Sequence, residues 1–223
     1  MIKLSSLTYY VHMIGSILLF TSWWKVFQLP FKNELIYNLP LQLKFFVSNL
    51  MDIWTLQEVI VDQHYERVFR IPKNAIVLDI GGSIGDFSIF ARKIRHAKQV
   101  HAYELDQERI ALFKKNVALN SVDQVILHEK PALSLRTVFK ECHLTHCEFM
   151  KVDCEGAEYQ IFLGTPISIL SQIQNISFEV HFFTQQMRSD YPKLKQLLTS
   201  AGFTLKEFSN PVHNSIGFLY ASK

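Results

Sequence analysis

The chain has 223 residues, of which 48% are hydrophobic and 19% charged, with a formal net charge of +3. That length and apolar share support one enzyme-sized core and exclude a disordered chain. So small and scattered a charge leaves no footprint for a nucleic-acid partner. Three cysteines, an odd number with no secretory signal ahead of them, point to a reducing, cytoplasmic compartment.

Leu4 to Trp24 contains no formally charged side chain and is long enough for a membrane span. Placed at helical spacing, however, Ser5, Thr8, His12, Gly15, Ser16 and Ser22 gather on one side, a stripe that a spanning helix has no use for. The expectation is an amphipathic helix packed on the main domain or on a partner. Peripheral membrane contact and a true span remain as alternatives. No A-x-A-like cleavage site precedes Trp23-Trp24-Lys25. Glu34 to Tyr37 and Leu43 to Val47 read as two strands around Asn38-Leu39-Pro40, a hairpin that completes an extension over residues 1–51. From Asp52 to Phe69, Ile53, Leu56, Val59 or Ile60, and Tyr65 recur at helical spacing and open a main domain over residues 52–223.

The most informative stretch is Val77-Leu78-Asp79-Ile80-Gly81-Gly82-Ser83-Ile84-Gly85-Asp86, followed nineteen residues after Gly85 by Glu104. Ile76 to Ile80 is a short apolar strand, the glycines let the backbone turn close to a ligand, and Asp86 opens a helix to Arg95. Free amide donors at that helix start suit an anionic group. Glu104 ends the strand Val100 to Leu105, where a carboxylate can accept both hydroxyls of a ribose. A dinucleotide fingerprint would need G-x-G-x-x-G, and from Gly81 this chain offers Ser83 and Asp86 at the later glycine places. The NAD reading fails on that register. Asp79-x-Gly81-x-Ser83-x-Gly85 with Glu104 resembles instead the first two motifs of class I methyltransferases that use S-adenosylmethionine.

Past Glu104 the alternation is regular: helix Gln107 to Leu119, strand Val125 to His128, helix Leu135 to Glu141, strand Phe149 to Asp153 and helix Ala157 to Leu163. Strand Ile176 to Val180, helix Thr184 to Ser200 and strands Phe203 to Glu207 and Ile216 to Ala221 complete the chain. This is the pattern of a doubly wound Rossmann-like α/β sheet, whose ligands lie outside the strands' carboxyl ends. Cys142-His143-Leu144-Thr145-His146-Cys147 packs four metal-ligand types into six residues. Neighbouring side chains diverge and no second cluster exists in the sequence, so this reads as a polar connection, and no metal ligands are assigned.

Val77 to Asp86, Tyr103-Glu104 with Asn116-Val117-Ala118-Leu119-Asn120 behind it, and Lys151-Val152-Asp153-Cys154-Glu155-Gly156-Ala157-Glu158 together resemble the FkbM family of S-adenosylmethionine-dependent methyltransferases. The similarity runs from about Asp52 to Glu179. Gly82, Ser83 and Leu105 depart from the usual Ala, Asn and Pro, and the segment from Ala132 to Phe149 is shorter than in many relatives. The resemblance implies a methyltransferase sheet with a cofactor site of Asp79, Gly81, Gly82, Ser83, Gly85, Asp86, Glu104 and Leu105. It also implies O-methylation of a hydroxyl on a sugar, glycan, polyketide or other small natural product. His181 is the expected base, since an imidazole titrates near working pH, with Asp153 and Glu155 orienting it or holding the acceptor. A divalent ion on Asp153 and Glu155 is an alternative that the sequence does not require. The competing reading is a non-catalytic cofactor-binding module in a larger, membrane-associated assembly.

Overall fold

The computed structural model describes residues 4–18, 23–31 and 35–223. At its centre is a seven-stranded sheet: β3 (Ile76–Ile80), β4 (Gln99–Glu104), β5 (Val125–Glu129), β6 (Cys147–Val152), β7 (Ile173–His181), β8 (Thr204–Ser209) and β9 (Ile216–Ser222) in the order β5-β4-β3-β6-β7-β9-β8. The first five strands of that order run parallel, and β9 pairs antiparallel with β7 and β8. The chain reverses its direction of travel at β3, with β4 on one side and β6 on the other. A crevice at the strands' carboxyl ends opens where the order reverses.

Helices α3 (Asp86–Lys93), α4 (Gln107–Leu119), α5 (Leu135–Glu141), α6 (Glu158–Phe162), α7 (Ile167–Leu170) and α8 (Gln185–Ser200) connect the strands. Two apolar clusters form the core, one around Val77, Phe87, Phe90 and Phe149 and the other around Met150, Phe162, Phe178 and Leu198. Buried parallel strands lose alternation because both faces are covered, and β3 and β6 are accordingly buried on nearly every residue.

Several expectations need correction. The helix read over Asp52 to Phe69 is three pieces: α2 (Leu50–Leu56), a π-helical turn Gln57–Val61 and a 3-10 turn His64–Glu66. Gln63 at φ 51° takes the left-handed conformation that breaks it. α2 is capped by Asn49 in a reciprocal capping box with Asp52, so it starts two residues before the expected boundary at 51/52. The hairpin of β1 (Leu35–Asn38) and β2 (Lys44–Val47) pairs as expected, Glu34 lying outside the described residues. Leu43, Phe45 and Val47 share the first core cluster, so the second strand of the hairpin packs on the core of the main sheet.

The Asn116 and Asn120 pair explains its spacing here. One turn apart on α4, the two amides act as a surrogate strand: Asn116 accepts from Phe46 N at 2.7 Å and Asn120 accepts from Lys44 N at 3.1 Å. Their Nδ2 groups donate back to the carbonyls of Phe46 and Lys44. The ladder groups on the free edge of β2 are thereby satisfied.

The N-terminal helix α1 (Leu4–Ile17) packs on the π turn and on Trp54 of α2 through the side that carries Tyr9, Met13 and Ser16, while Thr8, His12 and Gly15 of the expected polar stripe are exposed. Tyr9 donates to Glu58 Oε1 at 2.5 Å, His12 Nε2 lies 2.9 Å from Asp62 Oδ1, and Ser16 is buried beside Met13. Val11, Ile14 and Leu18 face outward, Ile14 with 65% of its surface exposed. A 3-10 segment, Trp23–Phe31, continues this apolar surface chemistry with exposed Trp23, Trp24 and Phe27. Leu19, Phe20 and Ser22 of the expected helix lie outside the described residues. No helix among the described residues is long and apolar enough to cross a membrane.

Candidate active site

A cavity of about 520 Å³ opens at the carboxyl ends of β3, β4 and β6, within the size range of cofactor sites. Ile80, Gly81, Ser83 and Asp86 line one wall, Tyr103, Glu104, Leu105 and Asp106 the next, and Lys151, Asp153, Cys154 and Glu155 the third. Six carboxylates (Asp52, Asp86, Glu104, Asp106, Asp153, Glu155) face it against three cations (Arg109, Lys130, Lys151). Such a lining favours a cationic ligand.

Gly81 sits at φ 86°, and a β-carbon there would come within 1.7 Å of the Asp153 carbonyl oxygen, so the turn is pressed against the end of β6 by its own backbone. Only glycine satisfies both demands. Gly85, at φ 85°, precedes α3 with the Phe113 ring beneath it, and Gly82 also packs on that ring. Both shape the turn from behind and do not border the cavity. Gly81 N and Gly82 N donate to Tyr103 O, locking the turn to β4.

Glu104 is held by three backbone donors. Ser83 N reaches Oε2 at 2.8 Å, while Leu105 N and Asp106 N reach Oε1 at 2.7 and 2.9 Å. The carboxylate is fixed at the cavity wall with lone pairs left for a ligand's hydroxyls. Asp86, in the first turn of α3, is pushed up to about 7 by burial, with Asp79 adding to the rise.

Asp79 does not reach the cavity, contrary to expectation. Fully buried, it accepts from Ser88 Oγ at 2.6 Å and lies 3.2 Å from Lys151 Nζ. Lys151 also donates to Gly81 O and lies 3.8 Å from Asp153 Oδ2. Burial works against its charge, but Asp79, Asp153 and Asp86 outweigh that and hold the ammonium well above the usual lysine range. Lys151 therefore stitches the end of β3 to the end of β6.

Asp153 accepts from Tyr65 Oη at 2.7 Å and, with Glu155, borders the cavity. The expected base, His181, does not: it is 1% exposed and absent from the lining. Its Nδ1 lies 2.8 Å from Glu158 Oε1, while Nε2 faces Glu155 Oε2 at 3.7 Å and Glu179 Oε1 at 3.8 Å. Burial alone would lower the imidazole, and the Glu158 carboxylate overrides it and raises it. Burial and the neighbouring carboxylates of Asp153 and Glu58 push Glu179 far above the usual carboxylate range. Glu179 shares a face of β7 with His181, two residues on, whereas Glu158 arrives from α6 by a tertiary contact that local spacing does not show.

Cys142 also has unexpected neighbours. Folding sets His101 of β4 and His128 of β5 beside it, His101 Nδ1 lying 3.2 Å from His128 Nε2, which is 3.5 Å from Cys142 Sγ. The sequence cluster splits instead, with Cys147 buried in β6 and His146 outside, 3.1 Å from Glu148. His128 Nε2 links the three side chains, while His101 Nε2 is buried without a hydrogen-bond partner.

Residues 120–205 match the methyltransferase FkbM domain and residues 36–146 the TRM5/TYW2 methyltransferase domain. The chain is an S-adenosylmethionine-dependent methyltransferase. Among solved structures, TYW2 of M. jannaschii in complex with AdoMet is similar at 13% identity and TM-score 0.56, covering 86% of this chain and 85% of that one. Precorrin-6y C5,15-methyltransferase of Geobacter metallireducens follows at 14% identity and TM-score 0.54, covering 73% and 86%. SMU.1697c of Streptococcus mutans in complex with SAH gives 15% identity and TM-score 0.53, covering 69% and 90%. These likenesses are of fold. No curated protein matches the chain. The cavity residues fit the cofactor: a fixed carboxylate at the end of β4 for a ribose, a close-approach glycine turn, and an acidic lining for a sulfonium.

Proposed function

We propose that this methyltransferase O-methylates a hydroxyl on a sugar, glycan or other small natural product. The observation that carries the reading is the pair Asp153 and Glu155 lining the same cavity as Glu104, whose lining cations Lys151, Arg109 and Lys130 are engaged by Asp79, Asp52 and Glu141. When bound, S-adenosylmethionine supplies an electrophilic methyl on a sulfonium. Gly81, Ser83 and Glu104 would hold it. The chain must then present an oxygen in line with that methyl and take its proton. Asp153, pinned by Tyr65, orients the acceptor hydroxyl, and Glu155, 81% exposed, takes the proton. His181 lies behind them, its Nε2 3.7 Å from Glu155 Oε2. Six carboxylates against three cations at the mouth would repel a phosphodiester backbone, which supports a small-molecule or glycan acceptor over nucleic acid. The test is an acceptor screen with methyl-labelled cofactor: labelled methyl ether supports the reading. Cofactor binding with no transfer to any hydroxyl supports a non-catalytic module.

For location we propose peripheral contact with a bilayer through α1 and the 3-10 segment after it. Val11, Ile14, Leu18 and Phe27 offer apolar surface, and Trp23, Trp24, Tyr10 and Lys25 are the aromatic and basic types that settle at a lipid headgroup boundary. Flotation of the full chain with anionic liposomes, lost in the double variant Ile14→Ser and Phe27→Ser, is the expected outcome. A full chain that never floats rejects it.

A further inference from the structure

Behind the acceptor wall lies a group of donors that the methyl-transfer reading does not use in full. Asp153, Glu179 and His181 each offer one ligand atom, and those atoms lie within 4.8 Å of one another. They come from the ends of two adjacent strands, so the sheet itself fixes their spacing.

The histidine is the informative member. Its Nδ1 faces Glu158 Oε1, a fully buried oxygen that also accepts from Cys154 N at 3.3 Å and Gly156 N at 3.1 Å. A carboxylate there holds the proton on Nδ1, so the other nitrogen turns a lone pair toward Glu155 and Glu179. Both carboxylate oxygens stand 3.7 to 3.8 Å from Nε2. That is too long for a hydrogen bond, so a second proton on Nε2 would find no acceptor at bonding distance. It does suit an ion between the donors, since bonds of about 2.0–2.2 Å to a common centre set nitrogen and oxygen ligands about 3 to 4 Å apart. Glu179 makes no hydrogen bond among the described residues, its nearest cationic partner being that imidazole. The one lysine nearby, Lys151, is committed to Asp79 and Gly81 O.

We infer that Asp153, Glu179 and His181 bind one divalent cation of the magnesium or manganese class, with the Glu158 carboxylate orienting the imidazole. Two carboxylates and one imidazole suit a hard to intermediate ion and leave coordination positions open. The inference rests on the O-methylation reading for its purpose: an acceptor hydroxyl on an open position becomes more acidic, its O–H bond breaks, the proton passes to Glu155 and the oxygen keeps the electron pair. Asp153 belongs to both the cavity wall and the ion's donor set, which puts the ion beside the acceptor.

The test is manganese titration of the full chain, followed by the electron paramagnetic resonance signal of free Mn²⁺, with S-adenosylhomocysteine affinity measured in parallel. The expected result is uptake of one equivalent by the wild type. Glu179→Gln and His181→Gln should each weaken that uptake tenfold or more while nucleoside affinity stays within threefold, which also shows that the variants fold. Glu129→Gln, on the far edge of the sheet, should bind manganese as the wild type does. No uptake at millimolar manganese, or uptake unchanged in Glu179→Gln, overturns the proposal. Manganese bound with no hydroxyl methylated would leave the ion site standing and sink the acceptor assignment alone.

Discussion

At the β4 end of the cavity Glu104 accepts three backbone N–H groups between 2.7 and 2.9 Å, whereas at the β6 and β7 ends Glu155 and Glu179 meet only a histidine, at 3.7 and 3.8 Å. Both regions present carboxylates to the same crevice. The first is finished by its own loop and is ready for a neutral partner such as a ribose. The second carries excess negative charge at close quarters, which is costly to bury without a compensating cation. On the proposed reading, cofactor recognition rests on backbone geometry and acceptor chemistry on unbalanced charge.

The largest expected effect breaks the boundary between the two regions. Gly81→Val sets a β-carbon on the Asp153 carbonyl, so it should distort the ends of β3 and β6 together. A loss on the order of 3 kcal/mol or more is expected in denaturant unfolding, and a wild-type midpoint would show that the contact relaxes freely. Next, Asp153→Asn should leave cofactor affinity within a few fold and lower turnover by about a hundredfold to ten-thousandfold, the range for a lost acid or base contact. Equal losses in affinity and turnover would erase the distinction between the regions.

Asn116→Ala should act on neither. It leaves Phe46 N and Phe46 O without their partners and should cost about 1–3 kcal/mol of stability. Calorimetric melting checks this, with cofactor affinity unchanged. The smallest effect concerns pH. His101 is pushed down to about 4 by burial, aided by His128. The unfolded chain takes up that proton near pH 6.5 and the folded chain only near 4, so stability should fall as pH drops through this window. In His101→Gln the melting temperature should fall less steeply there; an identical slope would show that the imidazole plays no part.

The alternation of strands and helices and the glycine turn were legible because short apolar runs, glycines and a carboxylate at fixed distance are local features. β3, α4 and α5 fall on their expected residues. The acceptor side was only partly legible. Asp153 and Glu155 announce themselves in one motif, but His181 was misjudged because burial against Glu158 depends on how β7 sits beside β6. Asp79 was misassigned to the ligand for a similar reason: its partner Lys151 arrives from a strand 72 residues later. Asn116 and Asn120 were visible as a motif, yet their task was not, since the strand they complete lies 70 and 76 residues earlier. On α1 the expected polar stripe does not mark the packed side: Thr8, His12 and Gly15 are exposed, and the tertiary contacts of Tyr9, Met13 and Ser16 decide which side faces inward.

The central claim is that Glu104, fixed by its loop, holds the cofactor. Isothermal calorimetry of S-adenosylmethionine with wild type and Glu104→Ala tests it most directly. The account predicts a weakening of about 1.5–3 kcal/mol, roughly tenfold to 150-fold, the scale for hydrogen bonds to a charged group. An unchanged dissociation constant in a folded Glu104→Ala variant would contradict it.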